Sequence, residues 1–231
     1  MKFLIQTYGG QVTHDFSFTL IEALKYNNWY SNTKDFQAIF TDDEKPDFIE
    51  GIIPCGSVEF VTNYIGEAYG KHILPRNIPP ELMGEEFTLR KVFNGGYEDI
   101  VGKKFVKSND RIKLFTEIVT GYESVPVGNY QISDLIDIES EWRGFVYRNT
   151  LVGLHNYGGD FTKFPNVETI HKMIGAFKSS PVAYTLDVGV NNQGTFVIEV
   201  HDFFSCGLYG FAELRILPFM FARWFQEYIK D

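Results

Sequence analysis

Residues 184–203 read YTLDVGVNNQGTFVIEVHDF, two alternating apolar runs on either side of a polar turn. Side chains on an extended strand alternate between its faces. Leu186, Val188 and Val190 therefore share one face of the first run, and Phe196, Ile198 and Val200 share one face of the second. Burying both rows on one side of an antiparallel ribbon fixes the register. The register expected on this ground pairs even numbers with even: Leu186 with Val200, Val188 with Ile198, Val190 with Phe196. Asp187 then stands opposite Glu199, and Thr185 opposite His201, on the other face. Directly opposed Cβ atoms lie about 4.5–5.5 Å apart. Two carboxylates at that range repel, and a divalent cation removes the conflict. Mg²⁺ is held by one or two carboxylates together with phosphate oxygens and water. Asp187 and Glu199 are thus candidate metal ligands, with His201 and Asp202 placed to complete the set. The alternative, acids that simply face water, stays open. The apolar, aromatic-rich surroundings weigh against it, as does Gly189, which leaves room beside the acids.

The rest of the chain divides by texture. Up to about residue 95, short strands alternate with helices: KFLIQTY, FQAIF and FIEGII as strands, a helix ending near Asn27, and a second helix opened by the turn at Gly56 and Ser57. PRNIPPELMG reads as a loop or linker. After Asn94-Gly95-Gly96 the strands come as hairpins: KKFVK with KLFTEIV, WRGFVY with TLVGLHNY, then the acid-bearing pair. A helix near 167–178 and a last helix from about Pro218 complete the pattern, the latter with an apolar stripe of Met220, Phe221, Trp224, Phe225, Tyr228 and Ile229. The expected organisation is a small α/β part over 1–95 and an α+β part on antiparallel sheet over 96–231.

At 231 residues the chain can bury a core without covalent staples, so Cys55 and Cys206 are expected to be free and buried. A formal charge of −9 disfavours nucleic acid, whose binding is driven by phosphate neutralisation. No uncharged apolar run approaches a membrane span, and no leader is evident. The expectation is a cytoplasmic protein without nucleic-acid or membrane partners.

A phosphate site needs cations. Lys107, Lys113 and Arg143 lie on the strands before the acid hairpin; Lys acts as a point charge and Arg as a planar fork. Each has a plain alternative as a solvated surface residue, the reading preferred for Lys103 and Lys104. Other chemistries lack their residues: Gly96 and Gly102 are one position too far apart for GxxxxGK[ST], and GxGxxG, HExxH, CxxC and GxSxG are absent.

The order FVK…KLFTEIV, SEWRGFV and LDVGV…GTFVIEVHDFFSCGLYGF resembles the ATP-grasp superfamily, and within it the compact phage and bacterial ATP-grasp proteins of unassigned function. IIPCGSVEFV and PRNIPPEL add to the likeness, which spans most of residues 50–217. The resemblance implies an α+β fold in which two α+β subdomains clamp ATP, beside the small α/β N-terminal domain. It implies that Lys107 reaches the nucleotide phosphates with Lys113 nearby, that the backbone of Ile132, Ser133, Asp134 and Leu135 meets adenine, and that Arg143 contacts the transferred phosphate or the bound acid. Asp187 and Glu199 take the place of the metal-holding acids. His201 stands where the family has Asn in an E-x-N-D pattern, and Asp202 keeps the acid beside it. The implied activity is ATP-dependent carboxylate–amine ligation through an acylphosphate, using ATP and Mg²⁺, with Lys107, Arg143 and His201 as catalytic residues. The small N-terminal part favours a peptide, protein or amino-acid-like acceptor. Ser57, at a helix N-terminus, is a candidate for binding an anionic substrate group, against a plain capping role. A phosphotransferase and a non-catalytic nucleotide-binding module remain the alternatives.

Overall fold

A computed structural model describes residues 1–112 and 114–230. In chain order the regular elements are β1 (Lys2–Gln6), α1 (Asp15–Ser31), β2 (Gln37–Thr41), β3 (Ile52–Cys55), α2 (Val58–Tyr69), α3 (Glu85–Thr88), β4 (Val92–Gly96), β5 (Lys104–Ser108), β6 (Thr116–Val119), β7 (Asn129–Ser133), β8 (Ser140–Tyr147), β9 (Thr150–Gly159), α4 (Val167–Ala176), β10 (Ala183–Asn191), β11 (Gly194–Asp202) and α5 (Leu217–Lys230).

The chain separates into two compact units, one of residues 1–72, 181–184 and 202–231, the other of residues 73–180 and 185–201. The expected boundary at residue 95 differs from this division. The break follows His72, and the C-terminal stretch belongs to the first unit because the aromatic stripe of α5 packs there: Phe225 meets Tyr69 and Phe219 meets Phe36, each edge to face.

The first unit is built on a parallel sheet in the order β2-β1-β3. Its central strand carries Phe3, Leu4 and Ile5, each at most 2% exposed, the unbroken apolar run of a strand covered on both faces. Pro54 pairs with Leu4 on the edge strand β3, where a missing amide costs no ladder bond. Ser57 caps α2, its Oγ accepting from Phe60 N at 3.1 Å. Both cysteines are free and buried, and burial pushes the Cys55 thiol up to about 12.

The second unit holds two four-stranded sheets, β4-β7-β5-β6 and β11-β10-β8-β9. Strands β4 and β7 were not anticipated as strands. Polar and glycine positions (Asn94-Gly95-Gly96, Asn129) mask their period, and β7 is set by the neighbours it pairs with on both sides, Phe93 and Val106 flanking Ile132. Behind that sheet Ile100, Val106, Val119, Val125, Tyr130 and Ile132 form one buried cluster. No helix among the described residues is long and apolar enough to cross a membrane.

Candidate active site

The acids of the β10–β11 hairpin meet cations of the protein itself. Arg143, on β8 and 8% exposed, grips Asp187 with both ends of its fork: Nε donates to Oδ1 at 2.8 Å and Nη2 to Oδ2 at 2.7 Å. Asp187 is 2% exposed, so this pair is withdrawn from water. Tyr157 of β9 lies under the guanidinium, with Arg143 Cζ 5.7 Å from the ring centre. Burial, followed by the charges of Asp187 and Glu141, raises the pKa of the Tyr157 phenol, so it stays a protonated donor.

The second pair lies at the surface of the site. Lys107, near the end of β5, donates to Glu199 Oε2 of β11, and both side chains are about one quarter exposed. Burial and, to a smaller degree, the charge of Arg143 lower the Lys107 ammonium to about 8, against the pull of Asp187. Lys107, Arg143, Asp187 and Glu199 thus form one electrostatic cluster, with Lys107 as the link between the two acids.

The expected register does not hold beside the turn. Two residues, Asn192 and Gln193, separate β10 from β11, and a loop of that length pairs the flanking residues odd with even. The Phe196 ring accordingly lies against Gly189, so close that an added Cβ would come within 2.4 Å of it. The space at Gly189, expected to stand open beside the acids, is filled by that ring. Arg90 covers Phe196 at 5.5 Å and donates to Val197 O at 3.3 Å. Asp187 and Glu199 both act on Lys107, the first through its charge and the second through a direct contact.

The remaining expected residues fall in different places. His201 lines a cavity with Lys107 and Glu199. Asp202 belongs to the first unit, is 4% exposed and accepts from Trp224 Nε1 at 2.9 Å. Among the described residues no three His, Cys, Asp or Glu side chains are grouped as metal ligands, so Asp187, Glu199, His201 and Asp202 do not form one ready-made cage. Ile132 and Ser133 are buried inside the ladder, 0% and 4% exposed, and Asp134 N donates to Lys91 O at 3.0 Å. Lys104, expected to be a solvated surface charge, pairs with Asp134 and lowers its carboxyl pKa. Leu135 is 41% exposed, beyond the end of the strand. Ser57 has its Oγ engaged as a cap, and its backbone N–H donates to Gln6 Oε1 at 2.8 Å. Lys113 lies outside the described residues.

Residues that the sequence did not single out complete the site. Asn77, in the backbone conformation φ 49°, donates from Nδ2 to Ser108 O at 3.0 Å and to Asn109 Oδ1 at 2.7 Å, and its carbonyl accepts from Val200 N at 2.7 Å. It therefore ties the end of β5 to β11 beside the Lys107–Glu199 pair. Gln131 fastens the next residue, exchanging two hydrogen bonds with the Ile78 backbone. Both residues sit in stretches without helical or strand period, where pattern reading has no signal.

Two four-stranded sheets carrying a cation–carboxylate cluster belong to one class of protein: this is the ATP-grasp fold. The solved structures agree on the fold. The D-alanine–D-alanine ligase of Bacillus anthracis superposes with TM-score 0.57 at 13% identity, covering 100% of this chain and 99% of that one. The macrocyclase MdnC of Microcystis aeruginosa, solved with its precursor peptide MdnA, gives TM-score 0.53 at 11% identity over 95% and 99%. The ATP-grasp ligase PsnB, complexed with minimal precursor, Mg and ADP, gives 0.51 at 10% identity over 96% and 98%. No curated protein sequence matches the chain. The family model of the ATP-grasp domain, R2K clade family 2, matches residues 87–218, and the chain belongs to that family.

Proposed function

We propose that the protein is an ATP-dependent carboxylate–amine ligase with an amino-acid, peptide or protein acceptor. The observation that carries this reading is the convergence of Lys107, Arg143, Asp187 and Glu199 in one partly enclosed cluster. In the first step a substrate carboxylate oxygen attacks the γ-phosphorus of ATP; the bond to the bridging oxygen breaks, giving an acylphosphate and ADP. In the second, an amine attacks the acyl carbon, phosphate leaves, and the amine proton passes to solvent.

The residues present fit Mg²⁺. Glu199 Oε1 has no hydrogen-bond partner among the described residues, and each Asp187 oxygen has a lone pair beyond its bond to Arg143. These oxygens would hold the ion, which when bound neutralises phosphate charge. Lys107 and Arg143 stabilise negative charge spread over the transferring phosphoryl group, a matter of positioning and electrostatics more than of bond chemistry. Arg143 is fixed beforehand by Asp187 and the Tyr157 ring, which limits the reorganisation needed during transfer. The adenine falls to the backbone beyond β7, at Asp134 and Leu135.

The test is incubation with Mg²⁺·ATP, pooled acids and hydroxylamine as the amine. Ligation yields ADP, inorganic phosphate and a hydroxamate in equal amounts. A stable phosphorylated acceptor without free phosphate would establish a phosphotransferase instead. ATP binding without turnover in any pool would leave a nucleotide-binding module.

A further inference from the structure

A cavity of about 400 Å³ lies within the first unit and shares no residue with the Lys107–Glu199 cluster. Its walls are Phe48, Tyr69 and Phe225 with Ile53 and Ile229, and Glu50 is the charged residue among them. The volume falls within the roughly 300–1,000 Å³ of small-ligand sites.

Local structure holds these walls in place. Tyr64 Oη accepts from Ile49 N and donates to Ile49 O, each at 3.1 Å. The residues on either side, Phe48 and Glu50, are fixed by that exchange. Gly51, at φ 73°, then turns the chain into β3. The Phe48 ring meets Tyr69 at 5.6 Å and 89°, and Tyr69 meets Phe225 at 5.8 Å and 77°. An edge-to-face contact uses one of the four π faces of two rings. Perpendicular walls therefore leave faces for a ligand, where a stack would cover them. Phe48 is 51% exposed, so the cavity is reached from solvent.

The electrostatics favour a cation. Ring faces are negative. Glu50 is exposed and has no ion pair or hydrogen bond among the described residues. Burial, and after it the Glu50 charge, raises the Tyr69 pKa, so the phenol stays neutral. Helix α2 ends at Tyr69 with no basic residue in its last turn, and a helix C-terminus carries partial negative charge. Lys71, just beyond, is engaged by Tyr228 O at 3.0 Å. Among the described residues no lysine, arginine or histidine lines the cavity. Arg223 and Lys230 of α5 lie outside the lining, the former donating to Gln226 Oε1 at 3.2 Å. The walls also select among cations. A plain ammonium carries three N–H donors and would meet one carboxylate and much hydrocarbon. Alkyl groups on the nitrogen remove the donors, pack against the rings and the two isoleucines, and bring their charge to the π faces.

We propose that this cavity binds a small N-alkylated ammonium ion, its head held among Phe48, Tyr69 and Phe225 with Glu50 as the counter-charge.

Titration calorimetry of the whole chain with choline, without nucleotide, tests the site and stands apart from the ligase reading. Choline is expected to bind saturably, about tenfold more tightly than 3,3-dimethylbutan-1-ol, which has the same shape and no charge. Phe48→Leu keeps apolar bulk and loses the ring; Glu50→Gln keeps the shape and loses the charge. Both positions are exposed, so the Tm should stay within about 2 °C of the parent. Each substitution is expected to weaken choline about 3–10-fold and to leave the alcohol within about twofold. Equal affinity for the alcohol, choline binding that survives both substitutions, or no saturable choline binding overturns the proposal. A trimethyllysine peptide that binds where choline does not also overturns it, since the site then reads a protein segment and not a small ion.

Discussion

The two ion pairs of the site use the same chemistry in different solvents. Arg143–Asp187 is bidentate and almost dry; Lys107–Glu199 is a single contact, open on one side to water. A buried pair is costly to break because the partner left behind is a charge without hydration. A partly exposed pair can separate, since water takes over the freed groups. The inner pair therefore acts as part of the frame, and the outer pair as a contact that a phosphate or a cation can displace.

Asp187→Ala breaks the comparison most severely. It strands the Arg143 guanidinium, at a cost of about 3–5 kcal/mol, and the Tm is expected to fall by roughly 10 °C in a chain of this size. Loss of turnover in this variant then reports the frame as well as the chemistry. A Tm within 2 °C of the parent would show that the inner pair does not support the fold.

Glu199→Gln and Lys107→Met give the opposite pattern. Glu199→Gln should change unfolding by less than about 1 kcal/mol, and in both variants ATP turnover should drop about 10²–10³-fold, as when one donor to developing charge is removed. Parent-like rates in both variants would remove the outer pair from the mechanism.

A third effect is in the pH profile. Lys107 titrates at about 8 in the folded protein and near 10.4 unfolded. Between these values the unfolded chain holds more protons, so stability rises with pH across that window, a gain that Lys107→Met abolishes. Activity runs the other way: the ammonium needed for phosphate is lost as pH climbs through 8, and KM for ATP is expected to increase there. A flat KM from pH 7 to 9.5 would separate Lys107 from the nucleotide.

Much of the second unit was legible beforehand. Alternation located β5, β6 and β8 to β11, and the acid spacing singled out Asp187 and Glu199. The edge strand β4 and the inner strand β7 escaped because Gly95, Gly96 and Asn129 erase the period, and pairing with neighbours decides such strands. Asn77 lies in irregular backbone, where residue type alone does not say what a side chain meets.

The amino-acid order by itself determined the ribbon and which of its residues are acidic, because the alternation of apolar and polar side chains is a local property. Only the tertiary structure decided what those acids do. A two-residue turn moved the pairing near Gly189 by one position, and one position exchanges the faces of a strand. The partners of Asp187 and Glu199 come from β8 and β5, 44 and 92 residues earlier in the chain. Charges that distant in sequence act on one another only when folding closes the gap and excludes the water between them.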